Sequence, residues 1–193
     1  RALTLWDPHV HLGTVEHSNI GLVFPMGTFF GATNLLHVPA WVAQRLWLAM
    51  ILFAAGAGVL YLARTIEWRR PGALVAALAY ALTPYTLQYA PRTSLLLLPF
   101  AALPWMIAVT CRGLRTGGWR HPALLALLVM VASAANVSAT ALVALGPVLW
   151  TAFAVGSREI GARDALVFVT KSIVLALATC ALWITALALE AGY

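Results

Sequence analysis

The side chains best suited to chemistry are concentrated in the first 39 residues of the chain. An acid, Asp7, lies in the sequence Trp6-Asp7-Pro8, and two histidines, His9 and His11, follow it at alternate positions. A carboxylate or an imidazole can take a proton from a hydroxyl nucleophile. We therefore regard Asp7, His9 and His11 as candidate catalytic residues, with Asp7 as the base or as the group that positions an acceptor.

The same pattern has two other interpretations. Asp7-Pro8-His9-Val10-His11 looks like the strand-end His-x-His of amidohydrolases, in which two imidazoles bind a metal. Those enzymes need a soluble barrel with further ligands, and here only His17, His37 and His121 follow. A plain interfacial loop, with Trp6 and the histidines at headgroup depth, is the third interpretation. No metal ligand set in the sequence is convincing.

Composition indicates a membrane protein. Hydrophobic residues make up 62% of the 193 residues and charged residues only 9%, whereas soluble domains carry about 25% charged residues. This excludes an ordinary soluble enzyme, a disordered tail and a disulfide scaffold. The 12 cations give a net charge of +6, but they are dispersed between apolar blocks, which is typical of membrane orientation rather than of nucleic-acid binding.

Six membrane spans are predicted, each with about 20 mainly apolar residues or slightly fewer. They cover about 40–63, 72–90, 93–111, 122–136, 138–156 and 165–189. The segment 121–157 has no charged residue and is too long for a single crossing, so we divide it at Asn136. The broken run 21–30 is too short to span, and we expect it to form an interfacial or re-entrant segment of an extracytoplasmic loop, residues 1–39.

Charge counting supports six spans. Nine cations then fall inside and three outside, which agrees with the positive-inside rule. A single span over 121–157 would give six against six. The nine are Arg64, Arg69, Arg70, Arg112, Arg115, Arg120, Arg158, Arg163 and Lys171.

Two of the three outside cations are candidate ligands for an anionic lipid-phosphate substrate. Arg45 lies near the outer end of its span, and Arg92 lies in an outer turn after Pro91. The alternative for both is a simple contact with lipid phosphate. The full set of candidate substrate-binding residues is Glu16, His17, Asn19, Arg45 and Arg92.

Several blocks resemble one enzyme family. The most specific are Phe24-Pro25-Met26-Gly27 and Gln44-Arg45-Leu46-Trp47, and the similarity extends over Ala77–Pro84 and Ala134–Thr140. They resemble the α-(1→3)-arabinofuranosyltransferases of actinobacteria, D-type, which are GT-C membrane glycosyltransferases. Because the chain begins at Arg1 rather than Met, we expect it to be a fragment of such a protein.

The resemblance implies an all-α, polytopic transmembrane helix bundle in the plasma membrane with its active site on the extracytoplasmic face. The expected donor is decaprenylphosphoryl arabinose, and the expected acceptor is the arabinan of arabinogalactan or lipoarabinomannan. A divalent metal could screen the donor phosphate. The family also carries an acid nearer its first helix, so a base upstream of Arg1 is the alternative to Asp7. A polytopic transporter or lipid flippase, another lipid-sugar-dependent GT-C transferase and a non-enzymatic membrane scaffold are the alternative functions.

Overall fold

The computed structural model describes residues 23–68, 70–92, 94–133 and 137–190. These residues form helices and turns, with no strand among them, which confirms the all-α expectation. A wide helical turn, Val23–Gly27, precedes α1, and a 3₁₀ turn, Ser94–Leu96, precedes α5. The α-helices are α1 (Thr28–Leu35), α2 (Ala40–Thr65), α3 (Arg70–Ala81), α4 (Pro84–Tyr89), α5 (Leu97–Thr116), α6 (Arg120–Ser133), α7 (Val137–Gly156) and α8 (Ala162–Glu190).

Four of the described segments are long and apolar enough to cross a membrane. They are Ala40–Thr65, Ser94–Thr116, Ser138–Gly156 and Ala162–Ala181. Together with many exposed large apolar side chains, they identify a membrane protein. The predicted span 122–136 corresponds to α6, which has 14 residues, or about 21 Å of helix. The predicted span 72–90 is divided into two shorter helices. Six crossings therefore stay a prediction, and the turn at Asn136 lies outside the described residues.

The segment predicted as one span over 72–90 is two helices. α3 ends at Ala81 and α4 begins at Pro84. The hydroxyl of Thr83 accepts a hydrogen bond from the backbone N–H of Thr86 at 3.4 Å, while Pro84 occupies the first helical turn. A threonine cap followed by proline starts a new helix, because proline has no N–H to donate to the preceding one.

The central helix of the bundle is α5. In its apolar segment 61% of the residues are buried, against 11% in the apolar segment of α7. α5 packs against α2, α6 and α7. Its contact with α2 is close at Gly58, where an added Cβ would lie 2.6 Å from the Trp105 ring. The Trp105 Nε1–H donates to the Ala54 carbonyl at 2.8 Å. Gly58 thus permits close helix packing, as small residues do in membrane bundles.

Three loops lie together at one end of the bundle: 66–68, 117–119 and 157–161. We call it the Arg-rich end, because Arg64, Arg115, Arg120 and Arg158 lie in these loops or in the helix ends next to them. Arg112 joins two of the chain segments there: its Nε–H donates to the Thr65 hydroxyl at 3.1 Å, and its guanidinium lies 4.3 Å from the Tyr61 ring centroid. Lys171 of α8 joins a third, because its Nζ donates to the Gly118 carbonyl at 3.4 Å.

The opposite end, which we call the α1 end, carries the short N-terminal helix. α1 has eight residues, or about 12 Å, and is too short to span. Phe29 and Phe30 pack on Trp47 of α2, with ring centroids 5.3 and 6.0 Å away. This packing holds the chain that enters α2 against the end of the bundle. The interfacial or re-entrant position expected for residues 21–30 stays a prediction.

Candidate functional site

The predicted catalytic residues precede the described part of the chain. Asp7, His9 and His11, and likewise Glu16, His17 and Asn19, lie outside the described residues. The structure describes the chain from Val23, where it turns into α1 at the α1 end. The α1 end is therefore the described part of the molecule that directly follows the polar loop in the chain.

An apolar groove of about 260 Å³ lies between α2, α5 and α6 and reaches the α1 end. Trp47, Met50 and Ala54 of α2 form one wall, and Leu98 and Trp105 of α5 form another. Pro25, from the turn before α1, also lines the groove. Because its lining is almost wholly apolar, this groove suits a hydrocarbon chain rather than a sugar.

The turn that contains Arg92 is tied to the groove. The Nε1–H of Trp47, a groove residue, donates to the Ser94 hydroxyl at 3.2 Å. Arg92 lies two residues before Ser94, and its backbone N–H donates to the Tyr89 carbonyl at 3.2 Å. The Arg92 side chain is exposed. The turn that carries this exposed cation is therefore linked to a groove residue through the Trp47–Ser94 hydrogen bond.

Arg45 has a different position. It is exposed on α2, and its guanidinium lies over the Trp41 ring at 4.8 Å from the centroid. Since successive residues of a helix are about 100° apart, Arg45 is on nearly the opposite face of α2 from the groove residues Trp47 and Ala54. Neither predicted cation lines the groove, but Arg92 is close in the chain to Ser94, which is hydrogen bonded to the groove residue Trp47.

Two histidines fall within the described residues, at opposite ends. His37 is exposed in the loop between α1 and α2 and has a positive φ of 54°. His121 lies at the Arg-rich end, where burial lowers the pKa of its imidazole and Arg120 and Arg112 lower it further. No cluster of three or more His, Cys, Asp or Glu that could hold a metal occurs in the described ranges.

His121 has a defined hydrogen-bonding role. The Thr116 hydroxyl donates to the Arg112 carbonyl at 2.9 Å, so its single proton is already used. The His121 Nδ1, 3.1 Å from the same hydroxyl, must then be the donor. His121 therefore ties the end of α5 to the start of α6 and takes no part in the α1-end site.

An aromatic cluster beside the Arg92 turn was missed at the sequence level. Tyr80 and Phe100 stack with centroids 4.1 Å apart, and Tyr85 lies 5.3 Å from Phe100 and 4.7 Å from Tyr89. The Tyr80 hydroxyl donates to the Phe100 carbonyl at 2.8 Å. The available signal was three tyrosines around Thr83-Pro84, but only the fold brings Phe100 to them.

The whole chain matches a known family. Residues 1–193 match the family described as alpha-(1->3)-arabinofuranosyltransferase, N-terminal GT-C domain. An alpha-(1->3)-arabinofuranosyltransferase of Mycobacterium tuberculosis is 37% identical over 157 residues, and one of Mycolicibacterium smegmatis is 34% identical over 157 residues. Each alignment covers 79% of this chain and 11% of the relative.

A solved structure has the same fold. The chain superimposes on a cryo-EM structure of the arabinofuranosyltransferase AftD from mycobacteria with a TM-score of 0.85 and 32% identity. The match covers 97% of this chain and 15% of that one, so the chain spans a small part of the length of its relatives. By sequence and by fold, the chain belongs to the N-terminal GT-C domain family of the α-(1→3)-arabinofuranosyltransferases.

Proposed function

We propose that this chain is part of a membrane enzyme that transfers arabinofuranose from a polyprenyl-phosphate donor, decaprenylphosphoryl arabinose, to cell-wall arabinan. The acceptor would be the arabinan of arabinogalactan or lipoarabinomannan, on the extracytoplasmic face. The observation that carries the proposal is the family match over residues 1–193, which includes the polar N-terminal loop. The apolar groove at the α1 end supports a lipid-linked donor.

The chemistry follows from the donor. A phosphodiester leaves as a stable anion, so the reaction needs stabilisation of charge and no strong general acid. The acceptor hydroxyl needs a base, which Asp7 would supply, with His9 and His11 beside it. Direct attack by that hydroxyl on the anomeric carbon, with loss of the lipid phosphate, inverts the configuration. Glu16, His17 and Asn19 would position the sugars.

The donor would lie with its prenyl tail in the groove and its phosphate near the Arg92 turn. The hydrogen bond from Trp47 to Ser94 supports this orientation, because it holds the turn against the groove wall. A guanidinium offers a planar pair of donors that matches phosphate geometry, whereas an ammonium is a point charge. We therefore propose Arg92 as the phosphate ligand and Arg45, which faces away beside Trp41, as the second candidate.

Conservative replacement should separate these two arginines. We expect Arg92→Lys in the full-length enzyme to raise the apparent KM for decaprenylphosphoryl arabinose about tenfold, because the planar fork is lost and the charge is kept. Arg45→Lys is the matched control, since a cation on an aromatic face near the membrane surface can be an ammonium as well. The measurement is initial rate against donor concentration, with protein level checked. If Arg45→Lys raises the KM and Arg92→Lys does not, Arg45 rather than Arg92 is the ligand of the donor phosphate.

The topology can be tested by labelling single cysteines in intact cells. With residues 1–39 on the extracytoplasmic face, Thr14→Cys should react with an impermeant maleimide, and Ser138→Cys should react as well. Gly117→Cys, in the loop of the Arg-rich end, should react only after the membrane is opened. Labelling at position 117 together with protection at position 14 in intact cells would contradict this topology, because the proposed site would then face the cytoplasm.

A further inference from the structure

A cleft of about 400 Å³ with both polar and apolar lining residues opens at the Arg-rich end, away from the groove described above. One wall is the last turn of α5 with the glycine loop that follows it, Gly117-Gly118. The other wall is the first part of α8. The charged residues that line the cleft are Arg115, Lys171 and Asp164. The proposed glycosyl transfer uses none of them.

Both cations of this cleft have unused donors. Within the described ranges, the Lys171 ammonium makes one hydrogen bond, to the Gly118 carbonyl at 3.4 Å, and so has two N–H groups left. Arg115 is exposed and makes no hydrogen bond or ion pair with the described residues, Asp164 included. Two cations and one carboxylate leave the lining positive, and the guanidinium is free to bind two oxygens of an anion such as a phosphate.

The glycine loop leaves open space at the cleft, because an added Cβ at Gly117 or Gly118 would meet no atom within 4 Å. Gly117 and Gly118 have positive φ values of 67° and 81°, which residues with a Cβ rarely adopt. Trp119, in the same loop, has its ring 4.7 Å from the Lys171 ammonium and is 61% exposed. A cation against an exposed tryptophan is typical of the depth at which lipid headgroups lie.

The cleft continues into an apolar surface. Val167 of α8 lines it and is itself 44% exposed. Val174, two helical turns further along nearly the same face, is 55% exposed, and so is Leu177. A cleft with a net positive charge beside an exposed apolar helix face matches a molecule with an anionic head and a hydrocarbon tail.

We propose that this cleft binds the phosphodiester headgroup of an anionic phospholipid, with the acyl chains along the exposed face of α8. Arg115 takes the phosphate oxygens in a forked hydrogen bond, and Lys171 supplies a second charge and one or two donors. Asp164 lies on the α8 wall with Lys171, and its carboxylate accepts hydrogen bonds from headgroup hydroxyls such as those of glycerol. Basic pockets between helices at a membrane face are a known mode of lipid recognition.

The test uses the full-length protein in phosphatidylcholine nanodiscs and a phosphatidylglycerol probe with a photoreactive group in its headgroup. After illumination and proteolysis, mass spectrometry quantifies cross-links to the peptides around Arg115 and Lys171. We expect unlabelled phosphatidylglycerol to compete, and phosphatidylcholine or inorganic phosphate at the same concentration not to compete. Equal competition by inorganic phosphate would mean a soluble anion site and would overturn the lipid proposal.

A pair of double variants tests the residues. Arg115→Gln with Lys171→Gln should lower cross-linking in the cleft at least fivefold. Arg64→Gln with Arg158→Gln removes two exposed cations from the same end outside the cleft, and it should leave the yield unchanged. An equal loss in both pairs would mean a general surface potential, and this would contradict a built site. If the variant with both Arg115→Gln and Lys171→Gln fails to fold, the competition experiment on the parent protein still tests whether the cleft binds an anionic phospholipid.

Discussion

Replacing Asp7 by asparagine should lower arabinosyl transfer by the full-length enzyme at least tenfold, which corresponds to about 1.4 kcal/mol in the activation barrier. Asparagine keeps the size and the hydrogen-bonding capacity of the side chain but cannot accept a proton from the acceptor hydroxyl. The measurement is the single-turnover rate with saturating decaprenylphosphoryl arabinose and a synthetic arabinan acceptor. Expression and membrane insertion should be unchanged, because the substitution removes a charge and alters little else.

A matched control is available at the other end of the bundle. Glu67 lies in the loop between α2 and α3, at the Arg-rich end, and is exposed. Glu67→Gln removes one carboxylate in the same isosteric way and should transfer at the parent rate. If Asp7→Asn also transfers at the parent rate, Asp7 is not the base. The acid that the family resemblance implies upstream of Arg1 would then take that role.

The second large effect concerns the packing of α2 on α5. A Cβ added at Gly58 would lie 2.6 Å from the Trp105 ring and 2.8 Å from Pro104. The ring cannot move freely, because it is hydrogen bonded to the Ala54 carbonyl at 2.8 Å and stacked on Tyr61 at 5.1 Å. We expect Gly58→Ala to destabilise the helix bundle by about 1–2 kcal/mol, since overpacking costs about 1–3 kcal/mol and the better helix propensity of alanine returns part of it.

Gly56 provides the control on the same helix. Its added Cβ would meet only the Ala77 carbonyl at 3.6 Å and the Ala81 Cβ at 3.8 Å, which are ordinary contacts. Gly56→Ala should therefore be neutral or slightly stabilising. Thermal unfolding of the detergent-solubilised full-length protein measures both variants. Combining Gly58→Ala with Trp105→Leu should recover part of the loss, and the absence of any coupling between positions 58 and 105 would contradict this account.

Some of the architecture follows directly from residue types. A chain with 62% hydrophobic and 9% charged residues can satisfy its backbone in lipid only as helices or a closed barrel, and its long apolar blocks select helices. Cations recur at the ends of those blocks, so the turns at 66–68, 117–119 and 157–161, which they flank, were expected at one end of the bundle. Thr83-Pro84 indicated a kink in the predicted span 72–90, and the structure has a break between two helices there.

The role of the first 22 residues rests on the sequence and the family resemblance alone. Asp7, His9 and His11 remain candidates because a polar loop with an acid and two imidazoles is unusual in so apolar a chain. The chain continues from them into the α1 end, where Pro25 lines the groove.

The membrane class, the all-helical fold and the concentration of cations at one end follow from the amino-acid sequence, because each depends on the types of residues and their order along the chain. Which face of each helix is turned inward depends on the tertiary packing. α2 is apolar on almost every side, so no polar stripe marks its outer face. Packing against Pro104 and Trp105 places Trp47 in the groove and turns Arg45 away. In the same way, Arg115 and Lys171 are far apart in the chain and line one cleft because Gly113 lets Phe168 of α8 pack close to α5.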